Sequence, residues 1–119
     1  MTKSPEIIVI FKNNLLFLEI KKFLANGGYK ICREKDFNFF KKENWKESIL
    51  IIQIDNERNV EAVSSFLDKK YNKVYIICIL KRSLRMPLNY KNLKTLVQPF
   101  TFNELLNNLS ILEKNLYNY

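Results

Sequence analysis

Three stretches of the chain are apolar at almost every position: EIIVIF over residues 6–11, SILIIQID over 48–55 and KVYIICIL over 73–80. Each has strand length, and none alternates with polar residues. That is the pattern of strands buried on both faces in a parallel sheet. YKICRE over 29–34 and TLVQPF over 95–100 read as shorter strands, the second with its exit turn. Between these runs the apolar residues take a helical spacing. Leu16, Ile20, Phe23 and Leu24 line one face of a first helix. Asn13 or Asn14 is placed to cap it and Gly27-Gly28 to stop it. Val60, Val63, Phe66, Leu67 and Tyr71 mark a helix over 56–72. Leu105, Leu109, Leu112 and Leu116 mark the last one, over 101–119, where Thr101 and Glu104 have capping-box spacing. DFNFFKKENW, 36–45, reads as a further helix with Asp36 as its cap. In 81–94, Pro87 sits where a helix would run, so a helix there is short or broken.

The order is β-α-β-α-β-α-β-(α)-β-α. Buried strands alternating with amphipathic helices predict one α/β domain over residues 1–119, with helices on both faces of a five-stranded, doubly wound parallel sheet. Right-handed crossovers leave few topologies, and strand order 2-1-3-4-5 fits best, with helix 4 shortened or irregular. In such sheets ligands sit at the carboxyl ends of the strands, beside the switch point between strands 1 and 3. The residues to weigh are therefore those that close each strand.

Composition narrows the chemistry. The 119 residues include no histidine, so His-dependent catalytic triads and Cys/His metal sites are excluded. Cys32 and Cys78 sit in apolar runs and read as reduced, buried thiols of a cytoplasmic protein. The net charge of +8 invites an acidic partner. Its lysines are dispersed in pairs such as Lys21-Lys22 and Lys69-Lys70, as on solvated surfaces. No apolar run is long enough to span a bilayer, and FKNNLL after strand 1 has no glycine for a phosphate loop. No cofactor and no enzymatic activity are expected.

At the strand ends, and most specifically in QPFTFNEL over 98–105, the sequence resembles the receiver domains of bacterial response regulators, which have a flavodoxin-like fold. QPF looks like the family's Lys-Pro-Phe turn into the last helix, and the resemblance covers nearly the whole chain as an element order. It implies a cis bond at Gln98-Pro99. It also implies an acidic pair closing strand 1 to hold Mg²⁺, an aspartate phosphoacceptor closing strand 3, a hydroxyl on strand 4 and a lysine in the turn. The chemistry asks for those types: hard oxygen ligands for the metal, a carboxylate nucleophile, and cations against the phosphoryl oxygens.

This sequence departs at every one of those positions. The acidic pair falls on Phe11 and Lys12, the acceptor on Gln53, the hydroxyl near Ile79 or Leu80, and the lysine on Gln98. The expected site is a degenerate phosphorylation pocket. Asp55, two residues beyond Gln53, is the alternative acceptor if strand 3 slides by two; otherwise it caps the following helix. Lys12 would then be placed to pair with Asp55 or Glu57.

The reading that follows is a phosphorylation-independent signalling module acting through protein contact. Its partner would be another signalling protein, a fused effector or kinase domain, or a second copy. Thr95, Leu106, Ile111 and Tyr117, with Tyr119, are the expected interaction face on the helix 4, strand 5, helix 5 side. The alternatives are a phosphorylatable receiver using Asp55, or a basic regulator that binds nucleic acid. For the latter, Phe37, Phe39, Phe40 and Trp45 lie among lysines, although no single-strand platform pattern is present.

Overall fold

A computed structural model describes residues 6–34, 48–68, 74–86 and 92–117. The elements are β1 (Glu6–Ile10), α1 (Asn14–Asn26), β2 (Lys30–Glu34), β3 (Ser48–Ile54), α2 (Glu57–Asp68), β4 (Val74–Leu80), β5 (Leu93–Val97) and α3 (Phe102–Tyr117). The strands form one sheet in the order β2-β1-β3-β4-β5, parallel at every pairing, as the apolar runs predict.

Because side chains alternate along a strand, each apolar run feeds two cores. Val9, Ile51, Ile77 and Leu96 face one side of the sheet, where Ile20 and Leu24 of α1 and Leu105, Leu109 and Leu112 of α3 cover them. Ile52, Ile76, Cys78 and Leu93 face the other, under Val60, Val63 and Phe66 of α2. Burial pushes the Cys78 thiol up to about 12, so it stays protonated and unreactive at neutral pH. Cys32, expected to be buried, is exposed, because it lies on β2 at the edge of the sheet.

Local signals set the helix ends. Asn13 Oδ1 accepts from the Leu16 N–H at 3.1 Å and starts α1. At the other end the Tyr29 N–H donates to the Leu24 carbonyl at 3.1 Å and the Gly28 N–H to the Ala25 carbonyl at 3.0 Å. This is a Schellman closure, and it needs the positive φ of 85° that Gly28 supplies. At α3 the Thr101 N–H donates to Glu104 Oε1 at 3.0 Å and the Glu104 N–H to Thr101 Oγ1 at 3.1 Å, the reciprocal capping box expected.

Other expectations need correction. Asn56, not Asp55, caps α2: its Oδ1 accepts from the Asn59 N–H at 3.0 Å. Strand β5 begins at Leu93, two residues before the expected start, because Leu93 pairs with Ile76 and is buried with it. Residues 81–86 form a turn and an irregular segment, in which the Leu84 N–H donates to the Lys81 carbonyl at 3.0 Å and Leu84 and Met86 are buried. The expected helix over 36–45, the side chain of Leu116, and Tyr71 and Pro87 lie outside the described residues.

Candidate functional site

The carboxyl edge is built by the register. Ile10 pairs with Ile52, so Phe11 lies opposite Gln53; Gln53 pairs with Ile79, and Ile79 with Leu96. Phe11, Gln53 and Ile79 thus share one rung on the α1 and α3 side of the sheet. Phe11 is 1% exposed and Ile79 fully buried, so two of the three positions belong to the core. Gln53 is half-buried, and its Oε1 accepts from the Asn13 N–H at 3.4 Å. No carboxylate stands in this rung. Leu80 faces the opposite core, and its carbonyl accepts from the Gln98 N–H at 2.9 Å, which ties the exit turn of β5 to the end of β4. The Gln98-Pro99 bond is cis, as expected.

Asp55 follows β3 by one residue, and only Asp55 and Asn56 separate β3 from α2. It stands about 7 Å beyond Gln53 along the strand direction. Its N–H donates to Asn59 Oδ1 at 3.3 Å. Among the described residues, no group of three or more His, Cys, Asp or Glu gathers here or elsewhere. Nor does an ion pair join Lys12 to Asp55 or Glu57 there; Lys12 is exposed.

Sequence reasoning missed Arg33. It pairs with Val9 across the β2–β1 ladder, and its side chain runs to the end of β1. There Nη2 donates to the Phe11 carbonyl at 2.9 Å and to Asn14 Oδ1 at 2.7 Å. The guanidinium also lies 4.4 Å from the centroid of the Phe17 ring, as a cation–π contact. Phe11, Lys12, Asn14 and Arg33 line a small cavity at this corner. Two cations therefore stand together at the end of β1.

A larger cavity of about 540 Å³ opens on the other side of Gln98. Leu16 and Glu19 of α1, Lys81 and Arg82 after β4, and Gln98, Pro99, Phe100 and Phe102 around the exit turn line it.

The expected interaction face does not lie on one surface. At about 100° per residue, Leu106 and Ile111 stand about 140° apart around α3. Leu106 shares a flank with Phe102 and Glu113, whose partners Phe23 and Tyr29 belong to α1 and the turn after it. That flank faces α1, and Leu106 is half-buried. Ile111 is 43% exposed on the other flank. Thr95 is half-buried on β5, and Val97 after it is 45% exposed. The side chain of Tyr117, and Tyr119, lie outside the described residues.

Tyr29 donates its hydroxyl to Glu113 Oε1 and so ties the α1–β2 turn to α3. Burial first, then that hydrogen bond and the carboxylate charge, raise the phenol from 10.0 to about 12. A raised folded value means stabilisation that is complete below pH 10 and is lost as pH climbs through 12. Stability measured against urea is expected to fall across that window, and Tyr29→Phe is expected to flatten the fall. An unchanged alkaline limb in the variant would count against the contact.

No protein-family model matches the chain, and no curated protein sequence does. Solved structures do. A CheY-like response regulator receiver domain protein from Methanospirillum hungatei superposes with a TM-score of 0.73 at 11% identity, over 96% of this chain and 98% of that one. A response regulator receiver protein from Sinorhizobium medicae gives 0.68 at 14% identity, over 93% and 96%. The signal receiver domain of an HD domain-containing protein from Pseudomonas fluorescens gives 0.68 at 15% identity, over 95% and 90%. The fold is that of a receiver domain.

Proposed function

We propose that the chain, folded as a receiver-like signalling module, works through protein contact and without an aspartyl phosphate. The observation that carries this reading is the rung Phe11–Gln53–Ile79, closed at the β1 end by Arg33. Phosphoryl transfer to protein needs a carboxylate nucleophile, and Gln53 offers a neutral amide whose oxygen is already engaged by the Asn13 N–H. A divalent cation needs hard oxygen ligands, and Lys12 and Arg33 place positive charge beside its position. Phe11, Lys12, Gln53, Ile79 and Gln98 form, on this reading, a degenerate pocket. Asp55 is not the acceptor.

The partner is another signalling protein, or an effector or kinase domain fused to this one, in a cytoplasmic setting. The contact surface is the β5 edge with the outer flank of α3, where Thr95, Val97 and Ile111 lie, and a second copy of the chain can use it too. Among the described residues no helix is long and apolar enough to cross a membrane.

The test is an NMR titration with Mg²⁺ and beryllofluoride, a mimic of the aspartyl phosphate. No shift is expected at Lys12, Gln53, Asp55 or Gln98. Saturable shifts there that vanish in Asp55→Asn would overturn the reading and make Asp55 the acceptor.

A further inference from the structure

The cavity beside Gln98 has the composition of a ligand site. It lies at the carboxyl ends of β4 and β5, beside α1 and away from the switch point between β1 and β3. With about 540 Å³ it falls in the range of small-molecule pockets, and it combines apolar walls with a few convergent polar groups. The apolar wall is aromatic and braced. Phe102 stacks on Phe23 of α1, centroids 4.6 Å apart and planes 17° from parallel. Phe100 meets Phe102 edge-on at 6.4 Å. Both Phe100 and Phe102 line the cavity while remaining half-exposed, so this series of rings ends at open space. A flat apolar body would extend it at little entropic cost, since the rings are already held.

The rim supplies the charge. Lys81 and Arg82 stand on one side and a single carboxylate, Glu19, on the other, so the lining carries a net positive charge. The Gln98 amide adds a neutral donor and acceptor. An arginine beside a lysine suits a phosphate or carboxylate better than a neutral ligand. From ring wall and cationic rim together, we propose that this cavity binds a small organic anion with a flat apolar body, of the aryl phosphate or aryl carboxylate class. Gln98 then contacts that ligand's polar end. The inference does not depend on whether Asp55 accepts a phosphoryl group.

Phenylphosphonate is the probe, because its anionic group is bonded to carbon and cannot be transferred to the protein. Titration of the full chain is expected to give saturable NMR shifts at the amides of Leu16, Gln98, Phe100 and Phe102. The double variant Lys81→Ala, Arg82→Ala alters only exposed side chains and should weaken binding about fivefold to tenfold, the effect of two exposed charge contacts. Glu19→Gln removes the opposing charge and should tighten it. Methylphosphonate, with charge but no ring, and benzyl alcohol, with a ring but no charge, should each bind more weakly. Absent shifts, shifts at Lys12 and Arg33 instead, equal affinity in the double variant, or equal binding of either partial probe would overturn the proposal. Beryllofluoride responses leave it untouched, so its failure is distinguishable from that of the signalling reading.

Discussion

Leu109→Ala is expected to cost the fold about 2–5 kcal/mol, the usual range for emptying a leucine site in a packed core. Leu109 is fully buried at the centre of the α3 stripe, one turn from Leu105 and near Leu112, in one core with the isoleucines of β1, β3 and β4. Those strands are themselves fixed by pairing on both sides, so they cannot move in to fill the space. Part of the loss is transfer free energy of the missing methyl groups, and the rest is the cavity left behind. The melting temperature should fall on the order of 10 °C. Ile111→Ala, two residues along the same helix, supplies the control. Ile111 is 43% exposed, and its truncation should cost less than about 1 kcal/mol. Equal losses at the two positions, measured by urea unfolding, would mean that α3 does not pack on the sheet through this stripe.

Arg33→Met is expected to cost about 1–3 kcal/mol, because it removes two charge-assisted hydrogen bonds and keeps most of the aliphatic stem. The bonds in question run from Nη2 to the Phe11 carbonyl and to Asn14 Oδ1. Asn14 opens α1 and Phe11 follows β1, so one guanidinium joins the strand, the helix start and its own strand β2. Lysine should not rescue the loss. Its ammonium is a point charge and cannot both donate to two separated oxygens in the guanidinium plane and stack on the Phe17 ring. Full stability in Arg33→Lys, read from the denaturation midpoint, would reduce the contact to simple charge. Neither substitution supplies a carboxylate, so neither should create affinity for Mg²⁺ at this corner.

The parts of the fold legible in the sequence are those in which local and global demands agree. The run from Ile49 to Ile52 is apolar because β3 is covered on both faces. Asn13, Gly28, Thr101 and Glu104 act within a few residues of themselves, so their spacing alone announces the helix ends. The strand order followed from alternation and handedness. What escaped depends on neighbours distant in sequence. Arg33 looks like one more dispersed cation until the β1–β2 register sets it beside Val9 and aims it past Phe11. Cys32 reads as buried in YKICRE, and only its place on an edge strand exposes it. Asp55 reads as the cap of α2, but Asn56 beside it is equally suited and is the residue that caps, a difference that spacing alone does not reveal. Leu106 and Ile111 are different: their angular separation is present in the sequence, and a helical projection of residues 102–117 would have divided them between two flanks.

The candidate site was legible as a set of departures more than as a construction. Phe11 and Gln53 stand side by side at the ends of β1 and β3, and Gln98 is delivered by a cis-proline turn to the end of β4. The cavity on its far side comes from α1, the β4 exit and the β5 turn together, three segments that no spacing pattern connects.

The sheet order has a last consequence, for the exchange of amide protons with solvent. Strands β3 and β4, seven residues each, have a hydrogen-bonded neighbour on both sides, whereas among the described residues β2 has only β1 and β5 only β4. Opening at the β2 edge breaks one ladder and exposes a strand that is already partly in water. Freeing the β3 amides requires the whole assembly of strands and both helical layers to part. Deuterium therefore enters this molecule from its β2 and β5 margins inward, and the last protons to leave report the free energy of complete unfolding.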